Sequence, residues 1–217
     1  MYRRISALNN HGVESLERGR FDDAILSFRH AIECYKEKSR KPSLHEAKGA
    51  FQVSVQSINC VVQGQVIAVS PHNTLDVYQN AFILSRIDGD QDNSSNLSLA
   101  LLYNLALAYH LYGVSGVDKE IPADVYMESA LRCYKHAIAV FRSMQTYNVR
   151  FVLILGLLNN LSHVLFHFWR PEEAKSCCMM LDYLLELEGE SLDDQEGDFF
   201  YSILAYANAA CCVAPAA

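Results

Sequence analysis

An Asn that stands two residues before a small residue, inside a mostly apolar stretch, recurs four times along this chain. The pairs are Asn10 with Gly12, Asn104 with Ala106, Asn160 with Ser162, and Asn208 with Ala210. Three of these stretches precede a second segment with small or apolar residues at helical spacing: Ala24, Phe28 and Ala31, then Ala130, Tyr134 and Ala137, then Ala174, Cys178 and Leu181. The repeating unit is therefore a pair of helices, and the chain is predicted to stack such pairs.

The first pair is the clearest. Apolar and small residues recur at helical spacing over 5–18, Gly19 supplies a stop, and Phe21 opens a second helix. The motif is formed by Leu8, Gly12, Gly19, Phe21, Ala24, Phe28 and Ala31. This pattern closely resembles the tetratricopeptide repeat (TPR), in which small residues stand where two helices cross and aromatic residues where repeats stack. It departs from the family at His11, Ser15 and Lys36.

The resemblance implies an all-α solenoid of TPR-like helical hairpins, with about three repeats and a C-terminal capping helix. We expect a single domain over residues 1–217. Its predicted parts are repeat one at 5–38, an insertion at 39–98, repeat two at 99–143, repeat three at 147–187 and the capping helix at 199–213. Within repeat two, residues 114–126 are predicted to separate the helices, and the acidic run 186–198 is predicted to be a solvated connection.

The insertion at 39–98 does not follow the repeat. Its segments 51–55, 66–69 and 75–84 look like strands and predict a β-hairpin packed on the helices. A degenerate helix pair over 44–62 is the alternative.

The charge and composition of the chain limit its predicted partners and cellular compartment. The net charge of −7 and the absence of a basic cluster predict no nucleic-acid partner. The apolar stretch 149–168 contains Arg150 and several Asn and His residues, so no membrane span is predicted. An odd number of Cys, seven, and no recognisable export signal favour a reducing compartment, the cytoplasm or the nucleus.

The candidate metal sites are incomplete. Asp88, Asp90 and Asp92 have the early spacing of a calcium loop, but this segment lacks the turn Gly and the terminal Glu of such a loop. His163 and His167 stand one helical turn apart, without the Glu of the HExxH zinc motif. No phosphate loop or nucleophile elbow occurs. We therefore expect no cofactor, no metal and no enzymatic activity.

The recurring Asn residues carry the functional prediction. Two residues subtend about 200° on a helix, so these Asn side chains point away from the small residues at the helix crossings and towards an inner face. Carboxamides there can donate to and accept from the backbone of an extended peptide. The predicted binding groove consists of Asn10, Asn104, Asn160, Asn208, Tyr103, Leu107, His110, Asn159, His163 and His167.

These observations predict a protein-interaction adaptor or scaffold that binds a peptide segment of a partner in its concave groove. The alternative is a metal- or ligand-dependent sensor or enzyme that uses His110, His163 and His167. A self-assembling scaffold is a third hypothesis.

Overall fold

The structure is a computed structural model that describes residues 1–40, 50–57, 67–70, 73–87, 94–116, 120–144 and 151–212. The described part is mostly helical, which confirms the helical prediction in its coarse form. Its helices are α1 (Tyr2–Glu17), α2 (Phe21–Arg40), α3 (Ser94–Ser115), α4 (Ala123–Ser143), α5 (Phe151–His167), α6 (Pro171–Glu188) and α7 (Asp194–Cys212), with a short 3₁₀ turn at Gly189–Ser191. Its strands are β1 (Ala50–Ser57), β2 (Ile67–Ser70), β3 (Asn73–Leu75) and β4 (Asn80–Ile87).

The chain divides into two compact units. Unit one comprises Met1–Gln63 and Gln79–Arg150, and therefore holds α1 to α4 with β1 and β4. Unit two comprises Gly64–Tyr78 and Phe151–Ala217, and holds β2, β3 and α5 to α7. That the two behave as a single domain stays a prediction.

Two helical hairpins, one in each unit, end their first helix in the same way. Gly19 and Trp169 both have a positive φ, 67° and 53°. In each case the residue that follows donates its backbone N–H to a carbonyl in the last turn, Arg20 to Ser15 and Arg170 to Leu165, both at 2.9 Å. This is the hydrogen bond of a Schellman motif, which normally places Gly at the left-handed position.

Trp169→Gly is expected to stabilise the protein by about 1 kcal/mol, because a left-handed backbone strains a residue with a Cβ. The Trp169 side chain is 91% exposed, so its removal sacrifices little packing. Urea unfolding of the variant measures the gain, and Gly19→Ala is the matched control that should lose a comparable amount. A lower urea midpoint for Trp169→Gly would contradict this account.

The small residues predicted at the helix crossings are buried. Ala24, Ala31, Ala130, Ala137 and Ala174 have no exposed surface. A Cβ placed on Gly12 would lie 2.5 Å from Cε1 of Phe28, so α1 and α2 approach too closely for any side chain at this position. Gly12 therefore lies where the two helices of the first hairpin pack closely together.

The connection between α3 and α4 is shorter than the sequence suggested. The predicted separator at 114–126 is wrong at both ends, since α3 runs to Ser115 and α4 begins at Ala123. The buried ring of Tyr126 stacks on Tyr112 of α3 with centroids 4.2 Å apart. This contact holds the end of the predicted separator against α3 as part of α4.

The acidic run at 186–198 is also more ordered than predicted. α6 continues to Glu188 and α7 begins at Asp194, five residues before the predicted capping helix. Asp193 caps α7, because its Oδ1 accepts the backbone N–H of Glu196 at 2.8 Å. Acidic residues in the first turn, Asp194 and Glu196, also suit the helix dipole.

The inserted segment contains strands at Ala50–Ser57 and Ile67–Ser70, close to the predicted 51–55 and 66–69. The predicted strand at 75–84 is wrong over 76–79, which separate β3 from β4. β1 pairs with β4 in antiparallel register, with Val53 opposite Leu84 and Val55 opposite Phe82. β2 pairs with β3 in unit two. The alternative of a helix pair over 44–62 is wrong for 50–57, which are extended. In unit one, β4 lies against α1 and α3.

Among the described residues, one helix, Asn96–Ser115, is long and apolar enough to cross a membrane by length and composition, and 83% of its apolar window is buried inside the protein. Residues 151–167 of the stretch suspected from the sequence form α5, whose 17 residues are fewer than a span usually needs. Packing within the protein accounts for the apolar composition of the longer helix.

Candidate functional site

In unit one, two carboxamides each bind both backbone groups of one residue in β4. Asn104 Oδ1 accepts the N–H of Phe82 at 2.9 Å, and Asn104 Nδ2 donates to the Phe82 carbonyl at 2.7 Å. Asn10 makes the same pair with Leu84, at 3.0 and 3.1 Å. We call such a two-bond carboxamide an asparagine clamp. It offers one strand residue the donor and acceptor that a neighbouring strand would provide.

The geometry of the strand explains why these backbone groups are available. Successive residues of a strand direct their backbone groups to opposite edges, so Phe82 and Leu84 share one edge of β4. The backbone groups of those two residues bond to helix side chains. The backbone groups of the alternate residues Ala81, Ile83 and Ser85 therefore face β1. The clamps therefore take the place of a third strand.

A third carboxamide fixes the unit-one clamps. Asn9 Nδ2 donates to the Phe82 carbonyl at 2.9 Å and to Asn10 Oδ1 at 3.1 Å. Asn9 Oδ1 in turn accepts from Asn104 Nδ2 at 2.9 Å. Asn9 and Asn104 are fully buried. Buried, mutually bonded amides have few alternative orientations, so the clamps are held in place by the network.

Unit two repeats this arrangement with a second Asn doublet. Asn160 accepts the N–H of Tyr78 at 2.8 Å and donates to its carbonyl at 2.9 Å. Asn159 donates to the carbonyl of Asp76 at 3.0 Å and to Asn160 Oδ1 at 3.1 Å. In both doublets the second Asn clamps one residue and the first Asn holds the carbonyl two residues earlier.

The first Asn of each doublet differs in the bonding of its Oδ1 atom. Asn159 Oδ1 is buried and accepts no hydrogen bond from any described residue. Its counterpart, Asn9 Oδ1, is satisfied by Asn104. Among the described residues, the doublet Asn159-Asn160 is therefore less completely bonded than Asn9-Asn10.

The side chains of the clamped residues are also held. Within unit one, Phe82 is fully buried and meets Tyr103 edge to face, with centroids 5.0 Å apart, and Leu84 is buried beside it in the strand. Within unit two, the buried ring of Tyr78 lies 4.9 Å from that of Phe200, and its hydroxyl donates to Glu196 Oε1 at 3.3 Å. Clamped positions thus accept large apolar or aromatic residues.

The structure places Asn104 and Asn160 differently from the sequence-based expectation. Both were expected to face an open groove, yet both are fully buried because the chain's own segment covers and bonds them. Asn10, which is half-buried, also binds this segment. Asn208 lies in α7, and its side chain is outside the described part.

The remaining predicted groove residues lie mainly in the core. Tyr103 and Leu107 are fully buried. His110 is buried with its Nδ1 3.3 Å from the Tyr134 hydroxyl, and His163 is also buried. These two rings belong to the interior rather than to an open surface, which corrects their assignment to the groove. His167 is half-buried and meets Phe168 edge to face.

Metal binding finds no support from side-chain geometry in the described ranges, where no three His, Cys, Asp or Glu residues are grouped suitably. The predicted loop of Asp88, Asp90 and Asp92 lies outside the described residues.

His163 should make stability depend on pH. Burial, with a smaller contribution from the charge of His167, lowers the pKa of His163 from 6.5 to about 4. The imidazole of His163 takes up a proton near pH 6.5 in the unfolded chain but only near pH 4 in the folded protein. The stability present above pH 6.5 is therefore lost progressively as the pH falls towards 4. The loss is on the order of 3 kcal/mol. The free energy of unfolding, measured by urea titration at each pH, should change clearly less between pH 6.5 and pH 4 for His163→Gln than for the wild type. His136→Gln, at an exposed site, should show the same pH dependence of stability as the wild type.

Sequence reasoning underestimated two parts of this site. Asn9 is an integral member of the network, and the repeated doublets Asn9-Asn10 and Asn159-Asn160 were a visible signal for it. The segment that the clamps bind was identified as strand-like but not as their ligand.

Comparisons with known proteins identify no relative: no family model matches the chain, and neither a curated protein nor a solved structure is significantly similar to it.

Proposed function

We propose that this chain is a TPR-like helical-hairpin protein that acts as an interaction adaptor, using its asparagine clamps to bind an extended segment of a partner protein. The observation that carries the proposal is that Asn10 and Asn104 each hold both backbone groups of a residue in strand β4. Asn160 holds both backbone groups of Tyr78, which lies between β3 and β4 in the sequence. Side chains that already bind one extended segment have the chemistry to bind another.

The TPR-like architecture is supported by the recurrence of one hairpin design. The closure at Gly19 recurs at Trp169, and small residues are buried at the corresponding helix positions in both units. Helical-hairpin repeats commonly serve as surfaces for extended ligands.

The asparagine clamps bind backbone atoms. Every non-proline residue offers one N–H and one C=O, so clamps of this kind tolerate many sequences. They are uncharged, and the chain carries a net charge of −7. A protein segment therefore fits the clamps better than nucleic acid does.

Asn10→Ala tests the proposal with the least damage, because Asn10 is half-buried whereas Asn104 is not exposed at all. Introduced together with Leu84→Ala, which weakens the internal strand that occupies the clamp, it removes two hydrogen bonds to the partner's backbone. We expect the double variant to bind the partner roughly tenfold more weakly than Leu84→Ala alone, at about 0.5–1.5 kcal/mol for each bond. Affinity capture with mass spectrometry identifies partners of the wild-type protein, and binding isotherms then compare the variants.

The control is Glu14→Gln, an exposed change on the same helix that should leave binding unaltered. Equal affinities of the folded double variant and of Leu84→Ala alone would reject the clamps as the partner site.

A further inference from the structure

We propose that β4 is an internal ligand of the unit-one clamps, and that an external ligand competes with it by presenting an aromatic residue and, two positions later, a large aliphatic residue. This inference rests on the proposed function and specifies its ligand chemistry. The two anchor positions are those of Phe82 and Leu84. The ligand is an extended peptide with a free backbone N–H at both anchors.

The backbone requirement follows from the hydrogen bonds. Asn104 accepts the N–H of Phe82, and Asn10 accepts the N–H of Leu84. Proline has no N–H, so it cannot occupy either anchor without stranding a carboxamide oxygen. For Asn104, that oxygen belongs to a fully buried side chain, where a lost partner is expensive.

The side-chain requirement follows from burial. Phe82 and Leu84 are almost completely removed from solvent, and Phe82 packs edge to face on Tyr103. A charged residue at either anchor would be buried without a counter-charge. Ile83 is only half-buried and Ser85 is exposed, so the positions between and after the anchors are less restricted.

Competition follows because each clamp has one set of donor and acceptor atoms. While β4 fills them, a free peptide binds only the fraction of molecules in which the strand has left. The apparent dissociation constant is the intrinsic constant divided by that fraction. Weakening the internal anchors should therefore tighten the binding of an external peptide.

A labelled peptide tests this directly. The probe is an acetylated, fluorescein-labelled peptide with the sequence of residues 79–87, QNAFILSRI, titrated with full-length protein and followed by fluorescence anisotropy. Phe82→Ala in the protein empties the aromatic anchor and leaves the clamps intact. This variant should bind the peptide at least tenfold more tightly than the wild type does.

Changes in the peptide, which cannot affect folding of the protein, identify the contacts. N-methylation at Phe82 or the change Phe82→Asp in the peptide should each weaken binding at least tenfold, whereas Ser85→Ala should not. Should Phe82→Ala protein melt below the assay temperature, Leu84→Ala protein provides the same comparison.

Equal affinity for the N-methylated and parent peptides, or no peptide binding by a folded variant, would overturn the inference. Dimerisation of the variants by light scattering without peptide binding would also overturn it, since the occupant would be a second copy. Peptide binding without an effect of Asn10→Ala on partner capture would reject the proposed function alone. An effect of Asn10→Ala on partner capture without any peptide binding would reject only this inference.

Discussion

Asn104→Ala is expected to lower the free energy of unfolding by roughly 3–5 kcal/mol, because stranding a buried polar group costs about 1–3 kcal/mol and this change strands more than one. The N–H of Phe82 loses its acceptor, and Asn9 Oδ1 loses its donor. The Phe82 carbonyl keeps only the bond from Asn9. Chemical unfolding monitored by circular dichroism measures the loss.

Asn10→Ala is the matched control for that prediction. It removes the same type of clamp from a half-buried position, where water can replace part of the lost bonding. We expect its cost to be about 1–2 kcal/mol. Equal, small losses in both variants would show that the buried network contributes little to stability.

Gly12→Val is expected to cost at least about 3 kcal/mol, at or beyond the upper end of ordinary overpacking. Even the first added carbon would lie 2.5 Å from Cε1 of Phe28, and the ring is fully buried. Either α1 and α2 move apart or the ring leaves its position. Thermal and urea unfolding should both show the loss.

Two further variants isolate the cause. Gly197→Ala adds a Cβ within α7 where no atom lies within 4 Å, so it should stabilise by up to about 1 kcal/mol through helix propensity. Phe28→Leu in the Gly12→Val background should recover part of the lost stability. Additive losses in that double variant would argue against a direct clash between the two residues.

The internal occupancy of the clamps changes how Asn substitutions must be interpreted. An Asn at an open binding surface could be replaced with little effect on folding. Here the same side chains bind β4, so replacement alters folding and ligand binding together. Binding measurements therefore need the stability of each variant, and the half-buried Asn10 is the most informative position.

Local patterns were sufficient for most of the helical elements. The first hairpin was predicted from Gly19 and the spacing of small residues, and its helices lie at Tyr2–Glu17 and Phe21–Arg40. Strand-like stretches were placed correctly at 51–55 and over most of 66–69. Helix ends at Ser115 and Asp194 were missed because they depend on aromatic stacking and on a side-chain cap.

The sequence by itself determined that Asn recurs two residues before a small residue in apolar helical stretches, and that strand-like residues lie between the first two helical hairpins. Only the tertiary structure decided that these carboxamides bind that segment. Asn10 and Leu84 are 74 positions apart, and Asn160 and Tyr78 are 82 apart. Every non-proline residue carries the same N–H and C=O, so no local pattern can indicate which one a distant carboxamide selects. The choice depends on packing, which buries Phe82, Leu84 and Tyr78 and thereby fixes the register of the clamps.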